Sequence, residues 1–242
     1  MKPELCTLKH PIAIRTEHIA RHPTTLRVKQ HDGQVSGANF TITLDKSENA
    51  QSTQQPETLF TVDGKLLTMD QRRTFRDASG EPLFDAYRRT SGYTWFVDLP
   101  GEGHGMPVAR LSPRWNNLKD KVHVEILNAA AGGEEIRLEA IGQDVWKLRT
   151  NVYLADKVVM TAKRSDKLSP YLMWKRPEWI VEVSEGMDLA LVSSSFNAPT
   201  FPALTPCYRH QQSWWCWLRL CMTLASEHHL HMPRKMGPAG PP

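Results

Sequence analysis

Residues 59–97, LFTVDGKLLTMDQRRTFRDASGEPLFDAYRRTSGYTWFV, carry a turn signal every eight to ten residues and no helical period between them. Leu83, Asp85 and Tyr87 alternate with Phe84, Ala86 and Arg88, and Tyr93, Trp95 and Val97 repeat the period of two. Successive side chains of a strand point to opposite faces, so this spacing predicts antiparallel sheet built from consecutive hairpins. Asp63-Gly64 is expected to be a tight hairpin turn, because both residues tolerate positive φ. Asp77-Ala78-Ser79-Gly80 is expected to be the next turn.

The same pattern extends along the chain. Strand signals fall at 25–29, 40–44, 108–111, 121–127, 135–141, 145–149, 151–154, 158–163 and 178–183. His31-Asp32-Gly33 and Ala155-Asp156 read as turns, and 45–56, 100–107 and 128–133 as loops. About eleven or twelve strands with almost no helix must either close into a barrel or stack as a sandwich. Residues 1–23, with Pro3, Pro11 and Pro23, read as an extended lead-in. Ser184 suits a helix N-cap, with Asp188 in the first turn and Met187, Leu189, Ala190, Leu191 and Val192 opening a helix apolar on all sides. Pro199, Pro202 and Pro206 forbid its continuation. Residues 193–242 hold three of the eight Trp and seven of the seventeen Pro and are expected to be irregular.

Charge is unevenly placed. Of the net +4, residues 193–242 carry +3 (Arg209, Arg219, Arg234 and Lys235 against Glu227), leaving +1 on the first 192 residues. The pI of 8.9 therefore gives no argument for nucleic acid. Cys6, Cys207, Cys216 and Cys221 all lie outside the expected sheet, so nothing asks for an oxidising compartment. The N-terminus has no apolar run of a secretory signal, and no segment approaches the ~20 apolar residues of a membrane span. The expectation is an intracellular, cytoplasmic chain of one main domain.

In order, FTITL at 40–44, LFTVDGKLL at 59–67, DASGEPLFDAYRR at 77–89, WKLRTNVYLADKVVMTAKR at 146–164 and EWIVEVSEGMDLALV at 178–192 resemble the LURP-one-related family. Its members share the tubby C-terminal-like fold with tubby proteins and phospholipid scramblases. The resemblance covers about residues 24–192. It implies an all-β domain with one central helix: a closed antiparallel barrel of about twelve strands around a hydrophobic C-terminal helix. The chain departs from the family after Val192, where Ser193-Ser194-Ser195 and prolines replace further apolar turns, so the helix is expected to be truncated. Either the tail comes from a gene-model or splice read-through, or it is an isoform whose apolar segment 214–224 returns to plug the barrel.

No GxSxG, HExxH, P-loop or dinucleotide fingerprint is present, and no coupled acid, base and nucleophile set is visible, so no enzyme is expected. Gly101-Glu102-Gly103-His104-Gly105 lacks the strand–turn–helix context of a phosphate cradle. Cys216, Cys221, His228, His229 and His231 lack a paired knuckle, so no metal and no cofactor are expected. His123 reads as a strand residue facing water or a neighbouring strand. The basic doublets Arg72-Arg73, Arg88-Arg89, Lys163-Arg164 and Lys175-Arg176 fall at strand ends. Resemblance to tubby proteins implies that Arg72, Arg73, Arg88, Arg89, Lys163 and Arg164 include contacts to an anionic phospholipid or phosphoinositide headgroup. Strand alternation allows one residue of each doublet to contribute. The expected function is a non-enzymatic, peripheral lipid-binding barrel; the alternative is a soluble interaction or regulatory barrel without lipid affinity.

Overall fold

A computed structural model of the chain describes residues 3–31, 39–45, 56–64, 71–89, 92–101, 106–114, 121–144, 148–165 and 178–192. These hold twelve strands: β1 (Thr24–Gln30), β2 (Phe40–Leu44), β3 (Thr58–Gly64), β4 (Arg73–Asp77), β5 (Pro82–Arg88), β6 (Trp95–Asp98), β7 (Ala109–Arg114), β8 (Lys121–Asn128), β9 (Glu134–Gly142), β10 (Arg149–Leu154), β11 (Lys157–Arg164) and β12 (Glu178–Val183). Each pairs antiparallel with its sequence neighbour, and β1 pairs with β12, so the ring is closed. Closure removes the free sheet edges that would otherwise template aggregation. The seam runs from Thr24↔Val183 to Lys29↔Glu178.

Alternation decides what fills the ring. Leu26, Val28, Ile42, Val62, Phe75, Phe84, Val97, Leu111, Val124, Leu138, Met160 and Val181 are all buried and share one core. Phe75 and Phe84, cross-strand partners, stack at 4.5 Å. Burying each such side chain contributes roughly 1.5–3 kcal/mol, which makes the period-two pattern the main determinant of the ring.

Two local expectations change. Asp63 and Gly64 lie within β3, paired with Thr74 and Arg73, and do not form a turn. The Asp63 carboxylate accepts from Arg76 Nε at 3.1 Å, and this cross-strand pair overrides the local turn preference. At 77–80 the turn forms as expected: Asp77 Oδ1 accepts from Ser79 N and Glu81 N, and Gly80 takes φ +89°. The Ala155-Asp156 turn also forms, with Ala155 at φ +52°.

The second change concerns the helix cap. The helix starts at 189, and Asp188 caps it, its Oδ1 accepting from Ala190 N at 2.7 Å. Ser184 lies upstream of a bend at Gly186 (φ +88°), and its buried hydroxyl has no hydrogen-bond partner among the described residues. Ala190, Leu191 and Val192 are buried in the same core as the strand lining. The expected end of the helix and the tail 193–242 lie outside the described residues, as do the His31-Asp32-Gly33 turn beyond His31 and Lys175-Arg176.

Residues 11–20 run across the end of the barrel where β12 finishes. Ile12 N donates to Gly186 O, Ala20 N to Met187 O and Asp188 N to Ile12 O, each at 2.8–2.9 Å. Ile12, Ala13, Ile14 and Ala20 are buried. Asn128 holds the segment from the other side, Nδ2 donating to Pro11 O and Oδ1 accepting from Ala13 N, both at 2.9 Å. This segment includes a 3-10 turn at Thr16–His18, and its Ile12 and Ile14 are part of the core.

Candidate functional site

Alternation splits the six cations singled out in the sequence. Arg73 pairs with Ala86, Arg88 with Trp95 and Arg164 with Trp179, all positions that share a face with the core. These three arginines therefore turn into the barrel, at the end where β5 and β11 finish and β4 begins. Arg73 and Arg164 are buried, their guanidinium groups 5.0 and 5.5 Å from the ring centroids of Trp95 and Trp179. Burial alone pulls the Arg73 pKa down to about 10, so it still enters the core as a cation at neutral pH.

Arg72, Arg89 and Lys163 face outward. Lys163 sits on β11, six strands round the ring from β5, and so lies across the barrel from the other two. Only Arg72 and Arg89 come together, and Arg110, which the sequence did not single out, joins them. On the outer face Tyr87 and Phe96 are cross-strand partners whose rings stack at 5.8 Å. Arg72 lies 5.0 Å over Tyr87, and Arg89 and Arg110 lie 4.7 and 5.8 Å over Phe96. Flat guanidinium groups over rings gain cation–π attraction and leave their N–H edges directed sideways for hydrogen bonding. Arg72 Nη1 pairs with Asp85 at 3.0 Å and Arg110 with Glu125 at 3.7 Å, whereas Arg89 has no carboxylate partner among the described residues. The Tyr87 phenol is pushed up, first by burial and then by the Asp98 carboxylate beside it.

The register continues this face onto β8 and β9. Arg110 is opposite Glu125, and Glu125 opposite Arg137. One pair further along, Ser112, His123 and Glu139 are in line, and one further still, Arg114 and Lys121. His123 is the centre of this cluster, its side chain only 10% exposed. Its Nδ1 accepts from Arg114 Nε at 3.2 Å and lies in short contact with Arg137 Nη2, which is also 2.9 Å from Nε2. Glu139 Oε1 is 3.4 Å from His123 Nε2, and Glu139 Oε2 is 2.7 Å from Lys121 Nζ. Burial first, and then the Arg137, Lys121 and Arg114 charges, lower the His123 pKa against the opposing pull of Glu139. The Lys121 contact holds the Glu139 carboxyl below its ordinary range. From the sequence His123 reads as a strand residue facing water or a neighbouring strand; its partners come from β7 and β9, and only the register brings them together.

Among the described residues no cluster of His, Cys, Asp and Glu is arranged to hold a metal ion, and no helix is long and apolar enough to cross a membrane.

A twelve-stranded antiparallel meander, closed first strand to last around the start of a buried helix, defines the class: a closed barrel, here with arginines both in its core and on one outer face. Residues 24–196 match the family model described as LURP-one-related, and the chain belongs to that family. An X-ray structure of a protein from Arabidopsis thaliana is similar, with a TM-score of 0.53 at 16% identity, covering 77% of this chain and 95% of that one; it supports the barrel fold alone. No curated protein matches the chain.

Proposed function

We propose that the barrel is a non-enzymatic, cytoplasmic module that binds peripherally to membranes through anionic phospholipid headgroups. The observation that carries this reading is the grouping of Arg72, Arg89 and Arg110 over the Tyr87–Phe96 pair. The rings hold the guanidinium planes in place, so less side-chain freedom is lost when phosphate oxygens are bound. Each such cation near an anionic surface is worth ~1 kcal/mol, and the attraction fades beyond a Debye length of about 8 Å at physiological salt. Asp85 and Glu125 offset part of the charge of Arg72 and Arg110. Association is therefore weak, reversible and salt-sensitive. Co-sedimentation with phosphatidylcholine vesicles, with and without phosphoinositide, tests the reading at low and physiological salt.

One observation favours the second reading, a soluble interaction barrel. The ion pairs Arg72–Asp85 and Arg110–Glu125 make the face nearly balanced in charge, and aromatic and arginine side chains with internal carboxylates also suit a protein partner. Vesicle binding that is absent at low salt would put this reading first.

A further inference from the structure

We propose that Arg114, Lys121 and Arg137, gathered round His123 on the outer face of β7–β9, form a site for a tetrahedral oxyanion of the phosphate or sulfate class, and that filling it places a proton on His123. The site lies further round the same outer face, beyond the Tyr87–Phe96 pair, and does not rest on the membrane reading. Among the described residues, three cations meet one imidazole and one carboxylate, Glu139. Glu125, the neighbouring acid, pairs instead with Arg110.

The hydrogen bonding of the histidine carries the argument. With Nε2 facing the Glu139 carboxylate, Nε2 holds the proton and Nδ1 holds the one lone pair in the ring plane. Arg114 Nε donates to that lone pair, whereas Arg137 Nη2, close to both ring nitrogens, lies over the ring and has no in-plane acceptor on it. A neutral ring nitrogen is a weaker acceptor than an oxyanion, and one lone pair cannot satisfy both donors. A phosphate or sulfate offers several acceptor oxygens and would bridge the two guanidinium groups, with Lys121 adding a third positive contact. Arg137 is half exposed and Arg114 exposed, so a ligand reaches them from solvent.

Proton linkage follows from the charges facing the ring. Arg114 on β7, Lys121 on β8 and Arg137 on β9 oppose imidazolium formation, while Glu139 on β9 favours it and Glu125 lies one pair along β8. An added dianion cancels the opposing charges and allows Nδ1 to take up a proton, which turns His123 into a fourth donor. The net change is one proton taken from solvent and no covalent bond made or broken.

Sulfate is the cleaner probe, because its charge is constant between pH 5.5 and pH 7.5 while that of phosphate is not. Calorimetric titration of the full chain with sulfate is expected to show binding severalfold tighter at pH 5.5 than at pH 7.5, about tenfold being the ceiling for a His123 pKa raised by about one unit on binding. H123Q is expected to lose the pH dependence, its affinity at pH 5.5 being no tighter than at pH 7.5. R137Q and R114Q are each expected to weaken binding about tenfold at both pH values. Vesicles containing phosphatidic acid, compared with soluble inorganic phosphate at pH 7.5, separate the sources. Competition by vesicles assigns the site to a lipid headgroup, and competition by soluble phosphate alone assigns it to a free ligand. The proposal is overturned if sulfate leaves the His123 ring resonances in place, or if R137Q binds like the parent while its thermal melt is unchanged.

Discussion

Asp188 Oδ2 accepts a hydrogen bond at 3.0 Å from the backbone amide of Ile14, a residue 174 positions earlier in the chain. The same oxygen accepts from Arg15 N at 2.9 Å, and Oδ1 from Ala190 N. One fully buried carboxylate thus caps the central helix and fastens the N-terminal segment across the barrel end. Burial raises its pKa, against the lowering by those three amides.

D188A leaves two buried N–H groups and one half-buried one without an acceptor and is expected to cost about 3 kcal/mol. D188N is expected to lie between the two, since an amide keeps one acceptor oxygen and turns a donor toward the remaining amides. Urea denaturation of the three chains measures this. Equal midpoints for D188A and the parent would mean the strap contributes nothing.

The His123 pKa is lowered in the folded chain, so the unfolded chain takes up its proton first as pH falls. Stability is therefore expected to fall as pH drops through about 6.5, the ordinary histidine value. Above that range His123 contributes no slope. With ten histidines in the chain, the measurement is the difference in melting temperature between parent and H123Q from pH 7.5 to 5. The gap is expected to shift in favour of H123Q toward the acid end.

On the membrane reading, R89A combined with R110A is expected to weaken low-salt sedimentation with phosphoinositide vesicles by up to about thirtyfold, from roughly 1 kcal/mol per cation. K163A, across the barrel, is expected to leave it unchanged. Equal loss in K163A would point to overall charge as the cause.

R73E and R89E test the inward and outward assignments. Reversing a buried charge against the Trp95 ring is expected to destabilise by about 3 kcal/mol, whereas the exposed R89E is expected to stay within about 0.5 kcal/mol of the parent. Thermal unfolding of both variants reads the contrast.

Gly186 takes φ +88°, and a Cβ built there would lie 3.1 Å from Leu8 Cβ. G186A is expected to cost about 1–2 kcal/mol from the backbone alone, with a further loss as Leu8 is displaced. Gly80, at φ +89° in open space, is the control for backbone strain without crowding.

Much of the ring was legible because burial follows parity within each strand. Phe84 and Ala86 face the core, and the same parity sends Arg88 inward; Phe75 does this for Arg73, and Met160 and Ala162 for Arg164. What could not be read depended on partners distant in sequence. Asp63-Gly64 has the composition of a turn, but Arg76 on the next strand holds it in β3. Ser184 and Asp188 are both acceptable caps, and the amides of Ile14 and Arg15 decide between them. The outer face was half visible: Arg72 and Arg89 stand in doublets, while Arg110, Arg114 and Arg137 are isolated in sequence and meet only through the registers of β6–β9.

The seam between β1 and β12 has a consequence for synthesis. Thr24 leaves the ribosome early and its partner Val183 late, so no nascent chain can shut the ring until almost the whole domain has emerged. Until then the growing meander has two bare edges, and Ile12 and Ile14 have no floor to rest on. Any product ending before β12 is an open sheet with its apolar side uncovered, a species prone to pair with its own copies. Quality control in the cell therefore meets this protein as an all-or-nothing object: closed from first strand to last, or a substrate for chaperones and proteases.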